Sequence, residues 1–208
     1  MSSCALPPPL PRRSNSGHDP RVLGTIALPG VAVALWQRFT DAAWARPGLD
    51  AAAPERLPRL RQTLRPQDAA AAIRGACDAA ALADCDHRRA LIDHVADLTQ
   101  HAARPMGALL VTLRVEVTDG QSCPKWHLDA VRARLLCTLR GAGTQFGPAS
   151  GPAQVDRIQQ MPTGTAALFR GRNWGAEPTG ILHRSPPAIP GQTRLLVVVD
   201  PVDEAASC

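Results

Sequence analysis

The chain has 208 residues, of which 45% are hydrophobic and 20% charged, with 16 Gly and 20 Pro. These figures exclude a collagenous or wholly disordered chain, and at this length a core that buries about 70% of the unfolded surface needs no disulfide or metal staple. The +5 net charge comes from 22 Arg and one Lys against 18 acidic residues; the arginines are scattered, so no stripe for nucleic acid is formed, and no apolar run nears the ~20 residues that cross a bilayer.

Residues 1–20 are rich in Pro, Ser and Arg and are expected to form a disordered tail. They hold no signal-type apolar stretch. The six cysteines (Cys4, Cys77, Cys85, Cys123, Cys137, Cys208) include no CxxC pair, which fits reduced thiols and a cytoplasmic chain. Val22–Phe39 starts like a strand, turns at Pro29-Gly30 and continues with Trp36 and Phe39 available for packing. The Pro- and Arg-rich stretch 47–66 predicts loops and at most one short helix near Glu55–Thr63.

Two helices are predicted next, Asp68–Ala83 from its alanines and Asp86–Ala102 from the stripe of Leu91, Val95 and Leu98. His87, His94 and His101 recur every seven residues, about 10 Å apart along a helix. They are too far apart to share an ion and are expected on the helix surface. After Arg104-Pro105 the texture changes to short β-type runs: Ala108–Val117, Arg132–Arg140, Gln154–Met161, Thr165–Arg170, Gly180–His183 and Arg194–Asp200. Such runs, parted by Gly and Pro, predict a β-sandwich or barrel.

His127-Leu128-Asp129 and His183, fifty-four residues beyond Asp129, supply two imidazoles and one carboxylate. Set on one side of an ion, they leave positions open, as in non-haem iron(II) sites. The plainer alternatives are hydrogen-bonded histidines and an aspartate capping a turn. Cys123 and Lys125 alternate with His127 and Asp129, so an extended segment points all four to one face. Cys123 is then a soft ligand and Lys125 a substrate-anchoring charge, or a Ser122-Cys123-Pro124 turn keeps both away. With Cys123 the set has four members and suits structural zinc. Trp174, in a Gly-rich loop before His183, either walls a pocket or packs in the core; Asn173 and Glu177 either touch substrate or are solvated. Arg132, Arg134 and Arg140 alternate, and an outward solvated row is expected; an inward row would favour an acidic substrate.

Arg194 follows His183 by eleven residues and opens the run RLLVVVD. This order, with GTAALF at 164–169 before the second histidine, resembles 2-oxoglutarate-dependent oxygenases, where a basic residue at about this offset pairs with the far carboxylate of the cosubstrate. The resemblance implies Fe(II) and 2-oxoglutarate as cofactors, with Arg194 binding the latter. Two features depart from it: Leu196 stands where a hydroxyl often assists, and the chain has no Tyr. More closely, CPKWHLD (123–129), RLLCTLRGAGTQF (134–146), LFRGRNWG and HRSPPAIPGQTRLLVVVDP, with WQRF at 36–39, resemble an uncharacterised bacterial family catalogued as domain of unknown function 1826, over Val22–Asp203. The resemblances imply an α+β chain: a mainly helical region, 21–104, packed on a double-stranded β-helix (jelly-roll, cupin-like) metal-binding domain, 105–203. They imply an Fe(II)/2-oxoglutarate-dependent oxygenase of hydroxylase type acting on a small molecule or a protein side chain, with no nucleic-acid or membrane partner. The alternatives are a non-enzymatic zinc-binding or metal-homeostasis protein with Cys123 as a ligand, and a metal-dependent isomerase or hydrolase using the same three residues.

Overall fold

A computed structural model describes residues 12–38, 46–175, 177 and 179–202. In chain order its elements are β1 (Arg13–Gly17), β2 (Val31–Trp36), α1 (Arg46–Ala51), β3 (Leu60–Leu64), α2 (Ala69–Ala79), α3 (Asp86–Met106), β4 (Val111–Thr118), β5 (Ala133–Arg140), β6 (Gln145–Gly151), β7 (Gln154–Val155), β8 (Gln159–Gln160), β9 (Ala166–Arg170), β10 (Ile181–Arg184) and β11 (Arg194–Pro201). Short 3-10 turns begin at Pro20, Pro54 and Pro66, where proline's fixed φ suits a first helical position.

Seven strands form a large sheet in the order β1-β2-β9-β5-β11-β4-β3, and a small sheet runs β10-β6-β7 with β8 also on β6. Strand β11 lies antiparallel between β4 and β5. Because side chains alternate along a strand, its two faces do different work. Leu195, Val197 and Val199 join a core with Ile73 of α2 and Leu91 and Leu98 of α3, while Leu196 and Val198 pack toward the small sheet with Phe146, Phe169 and Ile181. Phe146 meets Phe169 edge-on at 5.8 Å between centroids, one contact that ties the sheets together.

The two helices occupy the stretches expected for them, and α3 runs on to Met106, where Gly107 at φ 57° caps it in a conformation that glycine adopts without strain. The N-terminal half differs from expectation. Residues 21–104 contribute β2 and β3 to the large sheet, and β1 comes from residues expected in the tail. The sheet thus crosses the boundary expected at 104/105. β1 and β3 are edge strands held by backbone pairing, and β3 leaves Arg61, Gln62 and Thr63 exposed, so neither carries the apolar alternation by which a strand is read. Pro58 stops any helix from Glu55 onward. Residues 1–11 of the expected tail, Phe39 and Asp203 lie outside the described residues. No helix among those described is long and apolar enough to cross a membrane.

His94 is buried at 6% exposure rather than placed on the helix surface, because it stands three residues after Leu91 and four before Leu98, on their face of α3. Burial, with the Arg38 charge beside it, pushes its pKa down to about 3. The unfolded chain therefore takes up a proton near pH 6.5 that the folded chain refuses until about pH 3, so stability falls with acidification across that window by up to ~1.4 kcal/mol per pH unit. Denaturation curves collected between pH 7 and 4 should show this slope in the wild type and a flatter one in His94→Leu.

Candidate metal centre

Segment 123–129 carries no strand of its own, yet His127 forms an isolated antiparallel bridge with His183 of β10. Each backbone N–H donates to the other's carbonyl, at 3.1 and 3.2 Å. Residues directly opposite in an antiparallel pair present side chains on the same face, and the two imidazoles lie 4.6 Å apart, centroid to centroid. Two hydrogen bonds thus bring together histidines that are distant in sequence. The His127 Nδ1–H donates to the Lys125 carbonyl at 2.8 Å; a carbonyl only accepts, so Nε2 keeps its lone pair.

Asp129 reaches the same point from the loop before β5. That loop is clamped by the turn after β9: Arg172 N–H donates to the Asp129 carbonyl at 2.8 Å, Gly171 N–H to that of Arg132 at 2.8 Å, and Asn173 N–H to that of Val131 at 3.1 Å. A Cβ on Gly171 would collide with the Val131 carbonyl oxygen, so only glycine permits this approach. The ligand-type atoms of His127, Asp129 and His183 all fall within 4.8 Å of one another. His183 Nε2 is 3.0 Å from Asp129 Oδ2, and His127 Nε2 is 3.7 Å from Oδ1.

The charges around Asp129 form a chain. Arg134 donates from Nη1 to Asp129 Oδ1, and its Nε and Nη2 grip the two oxygens of Asp200 at 2.6 and 2.8 Å. Arg114 bridges Asp200, at 3.2 Å, to Glu116, at 2.8 Å. Burial raises the pKa of Asp129, but His183, Arg134 and His127 outweigh it and hold the carboxyl below its usual range. Burial lowers that of His183 against the pull of Asp129. An ionised aspartate beside a neutral imidazole is a good donor pair for a divalent ion. Asp129 Oδ2 is buried and faces His183 Nε2 as its one close polar neighbour, so an ion entering between them would replace that contact with coordination to both.

His127, His183, Cys123, Arg134, Thr144, Arg194 and Leu196 are all on the wall of one small cavity of about 70 Å³. Arg194 is buried; its Nε donates to the Ala142 carbonyl at 3.0 Å, and its Nη2 to the Thr138 and Thr144 hydroxyls at 3.1 and 2.8 Å. Burial pulls its pKa down to about 10. Among the described residues no carboxylate pairs with it, and Nη1 has no partner. Such a guanidinium suits an incoming anion.

The other expected residues are placed as follows. Cys123 is exposed and stands on the cavity wall outside the group of three. Lys125 is exposed and contributes its carbonyl. Trp174 packs against the helix-side core with Arg170 over its ring at 4.9 Å, and Glu177 binds Arg170 and the Gly30 N–H. Asn173 donates to the Ala130 carbonyl at 3.3 Å. The arginine row is not an outward solvated one: Arg134 turns inward to Asp129, and Arg140 donates to the Leu49 and Ala52 carbonyls. For Arg134 the reason is parity, since Leu135 and Cys137 occupy the helix side of β5; for Arg140 it is the irregularity that sets it opposite Leu195, on the helix side next to α1. Thr138, Thr144, Arg114, Glu116 and Asp200 are not singled out by the sequence pattern; for Thr138 the alternation from Arg134 is the available signal.

The sequence model of a family described as protein of unknown function (DUF1826) matches residues 17–200. No curated protein matches the chain. Among solved structures, the dioxygenase for auxin oxidation 1 from Arabidopsis thaliana, in a binary complex with 2-oxoglutarate, aligns over 95% of this chain and 94% of its own, with 10% identity and a TM-score of 0.50. The rice dioxygenase for auxin oxidation aligns over 93% and 83% with 13% identity and a TM-score of 0.49. For a Pseudomonas putida prolyl-4-hydroxylase the figures are 89%, 94%, 13% and 0.48. At these identities the likeness to the Arabidopsis protein concerns the fold alone. The match over 17–200 spans most of the chain, which therefore belongs to the DUF1826 family.

Proposed function

We propose that the chain is an Fe(II)- and 2-oxoglutarate-dependent oxygenase of hydroxylase type, built on a double-stranded β-helix and acting in the cytoplasm on a small molecule or a protein side chain. The observation that carries the reading is the convergence of His127, Asp129 and His183, whose ligand-type atoms all lie within 4.8 Å of one another, with both histidines on the wall of a cavity that also holds Arg194, a buried guanidinium with no direct carboxylate partner among the described residues. After β5 the chain passes to the small sheet (β6 to β8), returns to the large one (β9), crosses again (β10) and returns (β11), and the bridge of His127 to His183 adds a crossing between β4 and β5; these passages support the β-helix. The Arabidopsis structure, of like fold, is a complex with 2-oxoglutarate, which supports the cosubstrate.

In this reading His127 Nε2, His183 Nε2 and Asp129 hold the ion, a nitrogen and oxygen set suited to iron(II) with positions left open. Bound iron would supply the oxidation of 2-oxoglutarate by dioxygen to succinate and carbon dioxide, with the second oxygen atom entering a substrate C–H bond. Arg194 takes the far carboxylate through its free Nη1, while Thr138 and Thr144 fix the guanidinium plane. Thr144 thereby offers the hydroxyl that Leu196 lacks. Arg134 occupies Asp129 Oδ1 and leaves Oδ2 for the metal. The 70 Å³ cavity is below the roughly 300–1,000 Å³ of typical ligand sites, so the cosubstrate must displace lining side chains. Ser122 and Cys123, exposed on its wall, are the lining residues least held in place.

Adding 2-oxoglutarate to the anaerobic Fe(II) protein should produce a visible charge-transfer absorption. Arg194→Ala should retain Fe(II) but require about 10- to 100-fold more 2-oxoglutarate, the loss of one charged hydrogen-bonding partner. A wild-type protein that binds Fe(II) and shows no such band at millimolar 2-oxoglutarate would sink the assignment.

Removing Arg134 frees Asp129 to rotate and leaves Asp200 with Arg114 as its remaining cationic partner. Arg134→Met should lower Mn(II) affinity by about 10- to 100-fold in calorimetric titrations, and Arg134→Lys should fail to restore it, since one ammonium cannot span two carboxylates in a fork. Unchanged affinity in Arg134→Met would mean that Asp129 needs no such support. The zinc alternative rests on Cys123 lining the same cavity. It requires Cys123→Ser to lose Zn(II) affinity; the three-ligand site requires that affinity to stay.

A further inference from the structure

Past the ends of β4, β5 and β11 the chain bends, at 109–110 and 131–132. Val202 N–H donates to the Leu110 carbonyl at 3.0 Å, beyond the last ladder pair, Pro201 with Val111. Leu110, Val202 and Arg132 thus stand together beyond these strand ends, with Arg132 reaching toward Gly107 at the end of α3. There they line a hollow of about 680 Å³, together with Leu109 and Arg65. A second hollow of about 440 Å³ shares Gln67, Gly107, Ala108 and Leu109 with the first and adds Arg104. Both are within the size range of ligand sites.

The lining is apolar and cationic at once. Leu109, Leu110 and Val202 are exposed at 76%, 40% and 37%, against the usual covering of large aliphatic side chains that lie together. No Asp or Glu among the described residues lines either hollow. Arg65, Arg104 and Arg132 make no side-chain hydrogen bond or ion pair among the described residues, although most guanidinium groups elsewhere in the chain are paired, and the Arg132 Nε is buried without a partner. Clamping by Gly171 fixes the Arg132 backbone on the same loop that presents Asp129.

We propose that this hollow binds an amphipathic anion, an apolar body bearing a carboxylate or a phosphate, at a site separate from the metal centre. The leucines and Val202 receive the body, and Arg65 and Arg132 receive the oxyanion in the forked geometry that guanidinium offers.

Decanoate below its micelle concentration, titrated calorimetrically into the full chain without metal, tests the site. It should bind saturably at one per chain, decyl phosphate should compete with it, and 1-decanol should bind at least tenfold more weakly. Arg65→Gln/Arg132→Gln should weaken decanoate at least tenfold, as should Leu109→Asp, a change at an exposed position that leaves the core intact. His127→Ala should bind decanoate as the wild type does. Decanol binding equal to that of decanoate, full binding by both groove variants, or loss of binding in His127→Ala would overturn the site.

Discussion

The position of β11 between β4 and β5 is the constraint on which the rest of the molecule depends. Its eight residues are all buried, and its pairings set the side chains of three strands into two classes. Leu195, Val197 and Val199, with Leu113 and Val115 on β4 and Leu135 and Cys137 on β5, form the core under α2 and α3. Arg194, Leu196, Val198 and Asp200 face the cavity side with Arg114, Glu116, Arg134 and Thr138. A slip of one residue would exchange the classes, placing guanidinium groups against the helices and leucines around the candidate metal centre. The long apolar ladder resists that slip, and the charged face inherits its register from it.

This arrangement concentrates buried charge where a core would otherwise gain from apolar packing. Glu116, Arg114, Asp200, Arg134 and Asp129 alternate in sign, so each desolvated group has an opposite neighbour within hydrogen-bonding reach. Such chains are weak sources of net stability, and removing one member is far more costly than the chain is favourable. Their effect here is geometric: the fork of Arg134 fixes Asp129 relative to Asp200, and hence relative to the sheet. Arg194 is the exception, a buried cation held only by neutral acceptors. A fold that keeps a buried guanidinium without a direct carboxylate partner has yielded stability at a place where a ligand is proposed to bind.

Much of this is legible in the sequence, and the missing parts share a cause. Leu91, Val95 and Leu98 announce α3, and RLLVVVD announces β11, because burial of an element's own side chains leaves a periodic pattern. β1 and β3 depend on backbone pairing with β2 and β4, and β6 carries Gly147, whose Cβ would collide with the Arg157 carbonyl oxygen; none shows that pattern. The order His127, Asp129, His183, Arg194 points to one site; His127, His183 and Arg194 line one cavity, and Asp129 meets the two histidines behind its wall. What the order does not convey is orientation. Arg134 and Thr138 turn inward through the parity of β5, and Thr144 reaches Arg194 only through the turn at 141–144. His94 departs from expectation for a similar reason: its position relative to the apolar stripe matters more than its polarity.

The absence of Tyr and the presence of Leu196 bear differently on the cosubstrate once the cavity is seen whole. Hydroxyls next to the guanidinium come from β5 and the turn after it, not from β11, so β11 is free to carry apolar side chains between its two charged ends. Leu196 and Val198 line the cavity together with Arg194 and Arg134. Arg134 is already matched by Asp129 and Asp200, so the floor offers an anion one open cation, Arg194, with an aliphatic surface beside it for the methylenes of the proposed cosubstrate. Burying those methylenes against Leu196 and Val198 contributes about 0.8 kcal/mol each, a gain that a hydroxyl at position 196 would reduce. The departure at Leu196 thus moves part of the recognition from hydrogen bonding to apolar contact, without removing the cationic end on which the carboxylate depends.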